Sequence, residues 1–169
     1  MTPVVVLVGP PGSGKTTVGR VLAERRGIEF RDTDADVEAR AAKSVTDIFV
    51  DEGEARFREL ERDAVRIALT EHDGVLALGG GAVLDPATRE RLASHSVVFL
   101  DVGLAAASER VGFNRTRPLL AVNPRAELKR MLDQRRSLYE EVAATAVVTD
   151  ERSPEDVATE IDSWLAGRS

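Results

Sequence analysis

The sequence predicts an α/β fold, a five-stranded parallel sheet with helices on both faces, on three observations. Short apolar or β-branched runs of strand length alternate with segments of helical periodicity. Strands alternating with helices imply right-handed crossovers and a parallel sheet covered on both sides. The unusual residues fall just after strands, where open parallel sheets bind ligands.

The first strand is Val4 to Val8; a glycine-rich turn leads from it into a helix, Lys15 to Arg26, that Gly27 ends. Ile28 to Arg31 forms the second strand and runs into Asp32-Thr33-Asp34. A short helix starts at Ser44, with Asp47 three residues on, and closes at Gly53; a long one runs from about Glu54 to Glu71. Val75 to Leu78 is the third strand and ends at Gly79-Gly80-Gly81. Asp85 caps a helix over Pro86 to Ala93, Val97 to Leu100 is the fourth strand, and a helix spans Leu104 to about Val111. Gly112 to Pro124 lacks regular pattern and lies between two helices, so a mobile lid is expected over about 112–124. A helix from Arg125 to Ala143 and a strand from Ala146 to Val148 follow. The last helix is the clearest: Ser153-Pro154-Glu155-Asp156 supplies cap, N1 proline and first-turn acids, Val157, Ile161, Trp164 and Leu165 form one stripe, and Gly167 stops it.

At 169 residues the chain is expected to form a single domain over 1–169. Its 43% hydrophobic and 31% charged residues are ordinary for a globular protein and exclude a disordered one. A net charge of −6 gives no field that attracts nucleic acid. The absence of cysteine excludes thiolate metal sites, and His72 and His95, expected in surface turns, make a zinc site a poor expectation. Met1-Thr2-Pro3 leads straight into Val4 to Val8 without a basic n-region or an apolar run long enough for a signal peptide or a span, so a cytoplasmic location without membrane contact is expected.

Gly9-Pro10-Pro11-Gly12-Ser13-Gly14-Lys15-Thr16 fits the Walker A pattern directly after a strand and directly before a helix. Its glycines let backbone N–H groups converge on a phosphate, and the helix N-terminus adds about half a positive charge. Gly12, Ser13, Gly14, Lys15, Thr16 and Thr17 are therefore candidate ATP-binding residues, with Lys15 at the β/γ-phosphates and the Thr16 hydroxyl on Mg²⁺. No N-K-x-D segment is present, which argues against a GTPase.

Asp32 and Asp34, at i and i+2, point into one crevice, so one can serve the metal while the other orients an attacking hydroxyl and takes its proton. Asp34 is the candidate for the second task; a helix cap or a solvated acidic turn is the alternative. Asp101 closes an apolar strand and reads either as a metal partner or as the strand's end. The triplet Gly79, Gly80 and Gly81 permits close backbone approach. Arg117, in Arg117-Pro118-Leu119-Leu120, is either a lid arginine that neutralises the transferring phosphoryl or a solvated one. Arg58 has Glu61 one turn on, a spacing that a surface ion pair also explains.

Together the Walker A loop, Asp32-Thr33-Asp34, Phe57-Arg58 with Glu61, Leu78 to Val83, Arg117 to Leu120, and Arg135 four residues before Tyr139 resemble the shikimate kinase family over nearly the whole chain. The resemblance implies a single P-loop kinase domain with a lid and a shikimate-binding region at about 34–61. It implies ATP-dependent phosphorylation of the shikimate 3-hydroxyl, on the route to chorismate and aromatic amino acids. Arg58 and Arg135 would clamp the shikimate carboxylate, with Arg136 as the rival of Arg135; Asp34 and the Gly80 backbone would hold ring hydroxyls. Phe49 and Phe57 would form an apolar wall, and Glu61, Gly79, Gly81, Pro118 and Leu119 would complete the substrate site. Arg117 would face the phosphates, Arg110, Arg152 and Pro154 the adenine, and Asp32 would reach Mg²⁺ through water beside Thr16. Phe113, Asn114 and Arg115 match no strict family pattern. A monomer is expected. Two other readings stay open on the residues alone: a kinase for another small acceptor such as gluconate or a nucleoside monophosphate, and a nucleotide-binding switch without transferase activity.

Overall fold

The computed structural model describes residues 2–111 and 124–168. The expected lid, with Arg117, Pro118, Leu119, Phe113, Asn114 and Arg115, lies outside the described residues except for its last position, 124. Five strands, β1 (Val5–Val8), β2 (Phe30–Asp32), β3 (Val75–Ala77), β4 (Val97–Asp101) and β5 (Thr145–Val148), form a sheet of order β2-β3-β1-β4-β5 in which every pairing is parallel. The helices are α1 (Lys15–Arg26), α2 (Thr33–Ala41), α3 (Val45–Glu52), α4 (Glu54–Glu71), α5 (Pro86–Leu92), α6 (Leu104–Val111), α7 (Pro124–Val142) and α8 (Pro154–Ala166), with a 3₁₀ turn at Ala82–Leu84.

The two faces of β1 explain the layering. Successive side chains of a strand point to opposite sides. Val5 and Leu7 pack with Val18 and Leu22 of α1 and Val157 and Ile161 of α8, whereas Val6 and Val8 pack with Val65 and Leu69 of α4, Leu92 of α5 and Tyr139 of α7. All four β1 residues are buried, as a central parallel strand requires. A separate cluster of Val37, Ile48, Phe57 and Ala64 holds α2, α3 and α4 together.

α2 is absent from the expected elements. Asp-Thr-Asp reads as a turn because these residues compete with the backbone for hydrogen bonds, yet the same property suits a helix start. The Asp32 carboxylate caps α2 by accepting from Asp34 N–H at 2.9 Å, and Val37 is its buried hydrophobic anchor. Contrary to the expected surface turn, His72 is buried, its Nε2 3.0 Å from the Val75 carbonyl oxygen. Among the described residues no helix is long and apolar enough to cross a membrane, and no three His, Cys, Asp or Glu side chains cluster as a metal site.

Candidate active site

The carboxyl ends of β1, β2 and β3 open onto one cavity of about 420 Å³, lined by the phosphate loop, Asp32, Asp34, Leu78, Gly79, Gly80 and Arg110. Gly12 and Gly14 have φ of 82° and 93°, a left-handed backbone that glycine adopts without strain and that turns the loop back over the start of α1. Lys15 Nζ donates to the carbonyl oxygens of Gly9 at 2.7 Å and Pro10 at 3.1 Å. The ammonium thus lies across the loop. Ser13 is buried beneath it and donates its N–H to the Pro10 carbonyl at 3.2 Å.

Thr16 Oγ1 donates to Asp32 Oδ2 at 3.3 Å, which joins the start of α1 to the end of β2. Burial pushes the Asp32 carboxyl above its ordinary range and the charge of Asp34 adds to this, against the Asp34 N–H, Lys15 and the Thr16 hydroxyl, which favour the ionised form. A cation beside such a carboxylate relieves the penalty, and an all-oxygen pair suits a hard divalent ion. The residues present therefore fit a metal held with ATP. Asp101 does not take that role: its two oxygens accept from Arg136, Nη1 to Oδ2 at 2.9 Å and Nη2 to Oδ1 at 2.6 Å.

None of Gly79, Gly80 and Gly81 has the positive φ that only glycine tolerates well, so space is what demands glycine there. A Cβ on Gly79 would lie 2.6 Å from Asp34 Oδ1 and 2.8 Å from Glu61 Oε2; on Gly80 it would stand 3.0 Å from Pro11 Cδ; on Gly81 it would overlap the Arg58 guanidinium. The triplet is thus the surface against which Asp34, Glu61, Arg58 and the phosphate loop are packed. Two residues that the sequence did not single out hold it in place. Thr33 Oγ1 accepts from Gly79 N–H at 3.2 Å, and Tyr139, noted only as a landmark, donates its hydroxyl to the Gly80 carbonyl at 2.6 Å. No sequence signal marks Thr33 beyond its place between two acids.

Arg58 is more than a surface pair. Its Nη1 donates at 2.8 Å to Glu61, whose side chain is 4% exposed, and its guanidinium lies 5.2 Å from the Phe57 ring centroid. Removing either member of such a pair strands a buried charge. Phe57 is fully buried and packs on half-buried Phe49, ring centroids 4.7 Å apart, so Phe57 backs Arg58. The two neighbouring arginines of α7 diverge. Arg136 goes to Asp101 and lies 5.8 Å from the Phe99 ring centroid, whereas Arg135 is buried and lines a cavity with Glu54 and Leu84.

At the other end, Arg110 donates to Gly12 O at 3.2 Å, Thr149 Oγ1 at 3.0 Å and Thr149 O at 2.8 Å, tying α6 to the loop and to the turn after β5. Arg152, in that turn, is engaged by the Val148 carbonyl at 2.9 Å and Glu160 at 2.8 Å; Pro154 opens α8.

The sequence model for the family described as shikimate kinase matches residues 11–166. The chain belongs to the shikimate kinase family. A shikimate kinase of Salinispora arenicola is 62% identical over 166 residues, 98% of this chain and 99% of that protein. The solved shikimate kinase of Acinetobacter baumannii in complex with shikimate superposes with a TM-score of 0.95 at 36% identity, over 100% of this chain and 95% of that one. A gluconokinase of Sinorhizobium meliloti, with a TM-score of 0.57 at 22% identity over 96% and 91% of the chains, shares the fold alone. Membership makes the chain an ATP-dependent shikimate kinase, and an ATP-using kinase works with a metal ion. The switch and the alternative acceptors left open by the residues give way to this assignment.

Proposed function

We propose that the chain carries out the shikimate kinase reaction with Asp34 as base, Lys15 and Arg117 as charge-neutralising groups, and Arg58 with Arg135 as the carboxylate clamp. The observation that carries this is the single cavity onto which the phosphate loop, Asp34 and the Gly79–Gly80 backbone all open. A phosphoryl donor on the loop and an acceptor against the triplet would then be neighbours, and phosphoryl transfer depends mainly on such positioning.

The 3-hydroxyl oxygen attacks the γ-phosphorus in line, the bond from the γ-phosphorus to the β,γ-bridging oxygen breaks, and ADP leaves. The hydroxyl proton passes to the Asp34 carboxylate. Lys15, withdrawn from the loop carbonyls, neutralises charge on the β- and γ-phosphates, and Arg117 does so from the lid. Thr16 and Asp32, the latter through water, are the residues to hold Mg²⁺, which when bound shields the phosphate charge. Two guanidinium forks suit a carboxylate, and the burial of Arg135 supports it over Arg136, whose fork is committed to Asp101. Gly81 and Glu61 keep Arg58 aimed, Phe49 and Phe57 form the apolar side, and Pro118 and Leu119 close the site. Arg110, Arg152 and Pro154 flank the adenine. The lid spans about 112–124 and the shikimate-binding region about 34–61, within one domain over 1–169. A cytoplasmic monomer with no nucleic acid or membrane partner completes the reading.

The test is ADP release from Mg·ATP with shikimate, quinate, gluconate, AMP and no acceptor compared side by side. Stimulation by shikimate alone is expected; equal release with gluconate or AMP would overturn the acceptor site.

A further inference from the structure

The guanidinium of Arg58 is divided between two acids of its own helix. Nη1 belongs to the buried Glu61. The opposite edge, Nε and Nη2, faces Glu54, whose Oε2 accepts from both at 3.3 Å. That edge presents two parallel N–H groups, the geometry with which a guanidinium receives a carboxylate side-on. Glu54 opens α4 directly after Gly53, its side chain is 47% exposed, and it also lines with Arg135 a second cavity of about 190 Å³. One exposed carboxylate thus borders both arginines assigned to a substrate carboxylate.

We propose that Glu54 is a built-in competitor for the carboxylate clamp: it occupies the Nε–Nη2 edge of Arg58 when no substrate is bound and must yield it to the incoming acid. The proposal rests on the reading of Arg58 as a carboxylate ligand. Glu61 cannot play this part, because its burial makes its bond to Arg58 permanent, whereas a half-exposed i,i+4 pair is cheap to open. Glu54 therefore sets a threshold on acceptor affinity without touching the phosphoryl chemistry. A residue that merely braced Arg58 would have the opposite effect, since its loss would loosen the clamp and weaken binding.

The experiment is steady-state kinetics of Glu54→Gln, with Glu59→Gln as a control for charge on the same helix; Glu59 pairs with Arg56 at 3.1 Å, away from the clamp. In Glu54→Gln the KM for shikimate is expected to fall roughly two- to fivefold, the range for a half-exposed ion pair, with kcat within about twofold of the parent. Inhibition by benzoate, a bare carboxylate, should strengthen by the same factor. An unchanged or raised KM, or an equal fall in Glu59→Gln, overturns the proposal. Arg58→Ala separates it from the reading beneath it: a raised KM in that variant keeps the clamp and leaves the Glu54 result to decide, while an unchanged KM removes the clamp and this proposal with it.

Discussion

Asp34 stands in the first turn of α2, where the helix N-terminus favours a negative charge, and it touches the space a side chain on Gly79 would fill. Asp34→Asn keeps the shape and removes the base, so turnover should fall at least about a hundredfold while ATP affinity by calorimetry stays near the parent's. Near-normal turnover would take Asp34 out of the mechanism. The i,i+2 spacing of Asp32 and Asp34 was enough to place both on one cavity. The same residues offered a helix cap as the alternative role of Asp34; the cap is instead Asp32, to whose carboxylate Asp34 donates its N–H, and the extent of α2 beyond it was not foreseen. The glycine triplet was legible as a place of close approach. What approaches it in this structure, Asp34, Glu61, Arg58 and Pro11, comes from elements far apart in the chain and left no local mark.

Among the elements, α8 follows its Ser153 cap and Pro154 and α3 runs between Ser44 and Gly53 as expected, while α1 and α4 keep their expected bounds with no side-chain cap, starting directly after Gly14 and Gly53. At α5 the cap makes a pH-dependent prediction. Burial alone would raise the Asp85 carboxyl, but the Thr88 hydroxyl and N–H, each 3.1 Å from Oδ2, and the Arg62 guanidinium outweigh it and hold the group below its ordinary range. A carboxylate with a depressed folded-state pKa stabilises above its unfolded pKa and loses that effect as pH falls through the folded one. Asp85→Ala should therefore cost about 1 kcal/mol in urea unfolding at pH 7, the usual size for a lost cap, and the gap to the parent should shrink below about pH 4. A gap independent of pH would mean that the carboxylate's charge contributes nothing. α7 shows the limit of reading an element by itself: its periodicity was plain, but the divergence of Arg135 and Arg136 follows from what lies on either side of it, Glu54 and Asp101.

For the molecule as a whole, the parallel α/β architecture was legible from the alternation of strands and helices, whereas the strand order was not, since nothing in a strand's sequence names its neighbour. Tyr139 is one tie that the finished topology creates. Its ring stacks on Phe99 with centroids 5.1 Å apart, and its hydroxyl bonds to Gly80, a residue 59 positions away. Tyr139→Phe leaves the buried Gly80 carbonyl without that donor, so a loss of about 1–3 kcal/mol is expected in urea unfolding. A loss under about 0.5 kcal/mol would show that another donor replaces it. The central place of β1 has a consequence for synthesis as well. Val5 finds its partner on one side in Val75, and Val6 finds its partner on the other in Val97. At about 5–20 residues per second, the roughly 70 to 90 residues between them take on the order of 4–18 s to emerge. The strand at the sheet's middle is thus made before both of its neighbours, and the nascent chain must carry it with at least one edge unpaired until Val97 has been added.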